Sequence, residues 1–415
     1  MKQIYIRGGV PLTGQVRIQG SKNAALPILA ATLLVDGEQE IKNCPRIADV
    51  YYMLKLLASQ GVKVRWQGRN LYLDTGQLTP GPLEEEEGSM RSSIFLLGAM
   101  LGRFGEVDLA YPGGCVIGDR PVDWHIAHLN KMGAVFCDSE ERIQAKAAHL
   151  QGCEHYLPFP SVGVTENLIM AGVLARGTTI IHGAAREPEI VALCNYLCSA
   201  GAKIWGEGKS DIVIQGVEKL NGGHITLPGD RIVAGTYALA CMITGGDVLL
   251  EGAPVKQLTR LLPMLHAMGG NTLQMEEGLY LHIKERPEAI PYTRTEVYPG
   301  FPTDLQSPLM AALCTARGES ILEECIFGNR FRIAGELKNM GADIYILDHV
   351  AYIRGVERLH GCRVKAQELR GGAALVIAGL GAVGETYIED SGHIYRGYEN
   401  ICRDLSELGA RIYGE

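Results

Sequence analysis

The stretch LCSAGAKI at residues 197–204 returns as LSELGARI at residues 405–412, and this phrase decides the fold. It joins the end of a helix-like run to a glycine stop and the first step of a strand. Four further copies are LASQGVKV (57–64), LNKMGAVF (129–136), LHAMGGNT (265–272) and LKNMGADI (337–344). Their glycines are Gly61, Gly133, Gly201, Gly269, Gly341 and Gly409, and the last three follow the first three at a constant offset of 208 residues. The chain is therefore a duplicated half, each half holding three similar units. A doubled architecture of this kind is expected to place its working site between the halves.

Outward from the phrase, each unit reads alike. An apolar helix comes first: NAALPILAATLL, RSSIFLLGAMLGRFG, TENLIMAGVLARG, RIVAGTYALACMITGG, DLQSPLMAALCTARG and GGAALVIAGLGAVG. These are apolar on most faces, as buried helices are. A glycine stop and a short strand such as TTIIHG follow, then a more amphipathic helix ending at the marker glycine. Two alternating strands close the unit. The order α-β-α-β-β, three times over, predicts an α/β fold with six helices and three sheets around one centre in each half. Units of about 70 residues are too long for solenoid repeats of ~20–45 residues.

Composition narrows the class. With 47% hydrophobic and 21% charged residues, the 415-residue chain reads as a globular protein with ample core. No run reaches the roughly 18–20 apolar residues of a membrane helix, and the opening MKQIYIRGGVPLTGQVRIQG reads as strand, not signal peptide. The net charge of −8 argues against general nucleic-acid binding. Eleven cysteines without CxxC pairs read as reduced thiols of a cytoplasmic enzyme. The run Glu84–Glu87 reads as a solvated loop.

A second register is set by basic residues just ahead of the amphipathic helices: Arg46, Arg120, Arg186, Lys256, Arg330 and Arg396, with the halves matched at an offset of 210. A cation there opposes the helix dipole, which makes sense where an anion lies between it and the free N–H groups. The competing reading is a local ion pair, for Arg186 with Glu187 or Glu189 and for Arg46 with Asp49. The apolar helices also open on polar groups: Lys22-Asn23, Arg91, Asp304 and Arg370. Together these predict a cationic cleft suited to phosphate esters or nucleotide diphosphates.

The loop YPGGCVIGDRP, residues 111–121, sets Cys115 among glycines near Arg120, the pattern of a lid whose thiol is activated by a cation, or else of an incidental loop thiol. GEGKS at 206–210 lacks the first glycine of a phosphate loop, since Lys203 stands there. No GxGxxG follows a strand, so no nicotinamide or flavin cofactor is expected. His125 and His128 lack a partner set, so no metal is expected either.

QGSKNAALP, MRSS, PGGCVIGDRPVDWH, SVG (161–163), AAREPEI, PGFPTD, NRF and YRGYE together resemble the enolpyruvyl transferases, in the branch that acts on UDP-N-acetylglucosamine. The resemblance runs in order over the whole chain, and the cysteine loop separates this branch from the shikimate-pathway relatives. It implies two inside-out α/β barrel domains, residues 20–229 and residues 1–19 with 230–415, with the active site in the cleft between them. It implies protonation of phosphoenolpyruvate at its methylene carbon, attack by the sugar 3-hydroxyl and expulsion of phosphate, without a cofactor.

Carried over by motif, Cys115 is the acid or covalent participant, and Asp304 is the base. Lys22, Arg120 and Arg396 hold phosphoenolpyruvate, Lys22 and Arg396 counting with the catalytic set. Arg91, Arg330 and Arg370 extend the cationic cleft, and Asn23 bonds the sugar. Pro121, Val122, Asp123 and Trp124 border the nucleotide, with Ser161, Val162, Gly163 and Ile326. Glu368 stands where Asp is usual, Gly328 where Glu is commoner, Ser307-Pro308 in place of Ala-Gln, and Phe159 in place of a Lys found in some members. The Glu368 change bears on catalytic efficiency. Two alternatives stay open: a different acceptor, and a diverged paralogue that binds the UDP-sugar with little turnover. A monomer is compatible with the sequence, which does not fix the oligomeric state. No nucleic-acid or membrane partner is expected.

Overall fold

The computed structural model describes residues 2–84, 91–111, 122–137 and 141–414. Its internal contacts divide these into two units, one of residues 20–227 and one of residues 2–19 with 228–414. Among the described residues the helices are α1 Lys22–Ala31, α2 Ala48–Ser59, α3 Leu96–Phe104, α4 Asp123–Lys131, α5 Val162–Gly172 and α6 Pro188–Ser199 in the first unit. In the second they are α7 Arg231–Thr244, α8 Leu261–Ala267, α9 Gln306–Leu313, α10 Ile333–Asn339, α11 Leu369–Gly381 and α12 Ile401–Glu407.

The marker phrase is a helix stop of one kind, used six times. Each marker glycine has φ between 87° and 104°, a left-handed conformation that costs other residues about 1–2 kcal/mol. The residue after it returns its N–H to the carbonyl of the leucine that opens the phrase, at 2.8–3.2 Å. That bond satisfies a carbonyl orphaned at the helix end. The same six leucines, Leu57, Leu129, Leu197, Leu265, Leu337 and Leu405, are buried in the two cores. One phrase thus ends the helix and anchors it.

The odd-numbered helices are the apolar ones. Every residue of α1 from Ala24 on is buried, as is every residue of α11 from Arg370 to Leu380. α1, α3 and α5 pack together in the first unit, and α7, α9 and α11 in the second. The sheets lie outside them, so each unit is an inside-out α/β barrel. Such helices need close approach; at Gly98, an added Cβ would strike the backbone of Asn167.

The expected α-β-α-β-β unit carries one further strand. A short strand precedes the apolar helix and pairs in parallel with the strand that follows it. Glu154–Tyr156 pairs with Thr178–His182 across α5, Tyr292–Arg294 with Glu319–Glu323 across α9, and Arg363–Ala366 with Glu385–Asp390 across α11. Runs of three or four residues are too short to show alternation. For the first repeats the connections are exchanged. Leu12–Arg17 pairs with Gly246–Glu251 after α7, whereas His224–Thr226, just ahead of α7, pairs with Glu38–Lys42 after α1. Lys2–Arg7 completes a sheet of the second unit, between Glu385–Asp390 and Arg411–Gly414. No described helix is long and apolar enough to cross a membrane.

Candidate functional site

In the second unit, three separate helix starts supply one ionic cluster. The turn after PGFP forms the 3-10 segment Thr303–Leu305 ahead of α9 and presents Asp304. Arg330 opens the 3-10 segment Arg330–Arg332 ahead of α10, and Arg370 lies in the first turn of α11. Asp304 Oδ1 accepts from Arg330 Nη2 at 2.8 Å, and Oδ2 accepts from Arg370 Nη2 at 2.9 Å. The arginine side chains are only 2% and 4% exposed, the aspartate 24%. The cations are thus sunk behind the carboxylate, which is the more exposed partner.

Burial pulls the Arg370 pKa down, but the charge and hydrogen bond of Asp304 together with Tyr398 and Asp230 outweigh it and the net shift is upward, so this buried guanidinium stays charged. Glu368 completes the cluster. Its carboxylate caps α11 by accepting the Arg370 N–H at 2.7 Å and the Gly371 N–H, and it lies 3.7 Å from Arg330 Nη1. Two buried cations therefore face two carboxylates. One Glu368 side chain thus serves both the cap and the arginine.

Ile326 is held by its N–H, which donates to the buried carboxylate of Glu324 at 2.9 Å. Arg396 lies on another 3-10 segment, Ile394–Arg396, ahead of α12. The turn behind it is pinned by buried Gln19, which donates to Gly397 O at 3.0 Å and accepts from Glu399 N at 2.8 Å.

In the first unit, Ser21 caps α1 and Lys22 opens it, with Asn23 next. Lys22 Nζ reaches Asp49 Oδ2 at 2.8 Å, and Asp49 is buried at the start of α2. Arg46 donates to Gly68 O at 2.7 Å and lies over the Trp66 ring at 4.8 Å. Arg186 does the equivalent, donating to Gly208 O at 3.3 Å. Both bonds span 22 residues, so at these two places the basic register clamps the hairpin of its own repeat. Lys256 is exposed on the 3-10 segment Val255–Gln257.

The nucleotide-bordering candidates of this unit gather at two adjacent helix starts. Val122 precedes α4, which begins with Asp123 and Trp124. Ser161 caps α5, its Oγ accepting from Val164 N at 3.4 Å, with Val162 and Gly163 in the first turn. His125 joins the two helices: it is buried, and its Nδ1 lies 2.9 Å from Asn167 Nδ2. Gly163 leaves room for that ring, since a Cβ there would come within 3.3 Å of His125 Cε1. Beside them the half-exposed rings of Trp124 and Phe159 stand 6.5 Å apart at 44°. Cys115, Arg120 and Pro121 lie outside the described residues, as does most of the acidic run after Glu84. Arg91 opens the 3-10 segment Arg91–Phe95.

Residues that motif reading did not single out complete both groups: Asp49 behind Lys22, and Glu324, Thr303 and Thr295 behind Asp304 and Ile326. Glu324 had a signal. In GESILEE the inward register is Ser320, Leu322 and Glu324, and a carboxylate on the buried face of a strand needs partners.

The family described as EPSP synthase (3-phosphoshikimate 1-carboxyvinyltransferase) matches residues 6–405. The chain is 44% identical to UDP-N-acetylglucosamine 1-carboxyvinyltransferase 2 of Caldanaerobacter subterraneus subsp. tengcongensis, with 99% of each chain covered. It is 45% identical to UDP-N-acetylglucosamine 1-carboxyvinyltransferase of Nitratidesulfovibrio vulgaris, covering 100% of both. Among solved structures it is similar in fold to the enolpyruvyl transferase NikO from Streptomyces tendae, with TM-score 0.89 at 22% identity over 100% of this chain and 99% of that one. It is also similar to EPSP synthase from Acinetobacter baumannii, with TM-score 0.76 at 20% identity over 100% of both.

Proposed function

The chain belongs to the EPSP synthase family, and on that premise we propose that it transfers the enolpyruvyl group of phosphoenolpyruvate to the 3-hydroxyl of UDP-N-acetylglucosamine. Phosphate is the second product, and the reaction commits the sugar nucleotide to peptidoglycan synthesis in the cytoplasm, and so to cell-wall growth, shape and division. The full-length relatives that carry this activity in their names support the acceptor.

The geometry that carries the chemistry is the Asp304 carboxylate held by Arg330 and Arg370. Each carboxylate oxygen has two lone pairs. Each oxygen accepts from an arginine, and the carboxylate, 24% exposed, is the group assigned to take the proton of the sugar hydroxyl. In the addition step the sugar oxygen bonds to C2 of phosphoenolpyruvate while C3 gains a proton. In the elimination step C3 loses a proton and the C2–O bond to phosphate breaks, the electron pair leaving with the phosphate. An oxocarbenium-like carbon gains from a nearby carboxylate, and the leaving dianion gains from preorganised cations.

Lys22, Arg120 and Arg396 are assigned to phosphoenolpyruvate and Cys115 to proton or covalent chemistry at it. Asn23 is assigned to the sugar. Pro121 to Trp124, Ser161 to Gly163 and Ile326 are assigned to the nucleotide. Arg91, Arg330 and Arg370 supply the surrounding positive charge. The test is phosphate release from phosphoenolpyruvate with UDP-N-acetylglucosamine or 3-phosphoshikimate as acceptor. Release dependent on the UDP-sugar is expected. Release only with the other acceptor, or tight UDP-sugar binding without release, refutes the assignment.

A further inference from the structure

Behind the Asp304 cluster lies a carboxylate with no assigned role. Glu324 is 2% exposed, and each polar group around it is a donor. Oε1 accepts from Thr295 Oγ1 at 2.9 Å, Ile326 N at 2.9 Å and Phe327 N at 3.0 Å. The Thr303 hydroxyl is shared between the two oxygens, at 3.1 Å from Oε1 and 3.0 Å from Oε2. Both threonines have their direction fixed by a second bond. Thr295 Oγ1 accepts from Cys325 N at 2.9 Å, and Thr303 Oγ1 accepts from Arg330 Nε at 3.3 Å. A hydroxyl has one proton, so each must spend it on Glu324. The chain of donation runs Arg330 Nε–H to Thr303, and Thr303 O–H to Glu324.

We propose that Glu324, acting through the Thr303 hydroxyl, is the positioning residue for the enolpyruvyl transfer, setting the angle at which Arg330 holds Asp304 while its other bonds fix the turn carrying Ile326. The proposal rests on the assignment of Asp304 as base. Arg330 meets Asp304 through one terminal nitrogen, Nη2, at 2.8 Å. A guanidinium is planar and rigid, so anchoring Nε fixes where Nη2 points. Asp304 follows Thr303 directly in the chain, so the anchor holds both ends of the Arg330–Asp304 bond. Only an acceptor fits at the hub: the amide of a glutamine would put N–H groups against Thr303 or the two backbone N–H groups.

The test compares wild type with Thr303→Val, which keeps the shape and removes the hydroxyl, Thr303→Ser, which keeps the hydroxyl, and Glu324→Gln. The expected result is a kcat lowered about 10- to 100-fold in the Val and Gln variants, the loss of one buried charge-assisted bond. KM for UDP-N-acetylglucosamine should stay within ~3-fold in Thr303→Val, and Thr303→Ser should retain most of the rate. In parallel, the Arg330 Nε–H resonance of 15N-arginine-labelled protein should shift and exchange faster with water in Thr303→Val but not in Thr303→Ser. Equal rates in wild type and Thr303→Val, equal losses in Val and Ser, or an unmoved Arg330 resonance overturns the proposal. A wild-type protein without turnover would instead refute the function assigned above, and the resonance alone would then decide the positioning claim.

Discussion

Replacing Asp304 by asparagine keeps the shape of the ionic cluster and removes its central charge. Arg330 and Arg370 would remain 2% and 4% exposed, with Glu368 still 3.7 Å from Arg330. Breaking a buried ion pair by removing one partner costs about 3–5 kcal/mol. Asp304 is 24% exposed, so water can enter and the lower end applies, about 3 kcal/mol. At roughly 2–4 °C per kcal/mol for a unit of this size, the transition of the second unit should fall by roughly 6–12 °C. Inorganic phosphate adds the discriminating arm. A dianion satisfies the two abandoned guanidiniums, so saturating phosphate should raise the melting temperature of Asp304→Asn more than that of wild type, by mass action. Scanning calorimetry of both proteins, with and without phosphate, gives the answer. A variant melting within about 1 °C of wild type refutes the reading that Asp304 neutralises two buried cations. Equal phosphate shifts in the two proteins refute it as well.

Cys115→Ala and Asp304→Ala should each severely reduce phosphate release, and near-normal rates in both would sink the assigned chemistry; phosphoenolpyruvate with the UDP-sugar should also slow alkylation of Cys115. Gly201→Ala, at φ 104° with open space around it, should destabilise by about 1 kcal/mol, whereas Gly335→Ala within α10, also with open space, should stabilise by up to about 1 kcal/mol; urea midpoints check both. Burial, then the charges of His128 and Lys131, push the His155 pKa down from 6.5 to about 4. The unfolded chain then takes up a proton that the native state refuses, so stability should be full above the unfolded value and fall as pH drops from there towards 4. His155→Phe should flatten that part of a urea-midpoint profile. Burial, then Glu189 and Glu187, raise the Glu166 pKa well above its ordinary value. Stability should therefore be lost as pH rises above about 4.5, where the unfolded carboxyl ionises. Glu166→Gln should stabilise more at pH 8 than at pH 5, and a gain independent of pH would count against a protonated Glu166.

The scaffold was legible because its signals are local. A left-handed glycine and a buried leucine four residues before it are set by the same short phrase, so Leu197 and Gly201 can be read together. The three-residue edge strands were not, because their pairing is decided across a whole helix. In the site, Asp304, Arg330 and Arg370 could each be named from the motifs that carry them. Their mutual pairing could not, since the bonds join positions 26 and 66 residues apart. Arg46 and Asp49 show the same limit: both charges could be read at a helix start, but the contact of Asp49 with Lys22 and those of Arg46 with a hairpin carbonyl and the Trp66 ring join residues distant in sequence. Glu324 was hidden in an acidic pair, where only the inward register of the strand distinguishes it from Glu323.

The assigned reaction makes a specific bond, from the 3-oxygen of UDP-N-acetylglucosamine to C2 of an enolpyruvyl group. Incubation of the purified protein with phosphoenolpyruvate and UDP-N-acetylglucosamine, followed by mass spectrometry and NMR of the nucleotide product, tests it most directly. The predicted result is an enolpyruvyl ether at the sugar 3-position, formed in equal amount with free phosphate. An unmodified UDP-sugar, with or without phosphate release, would contradict it.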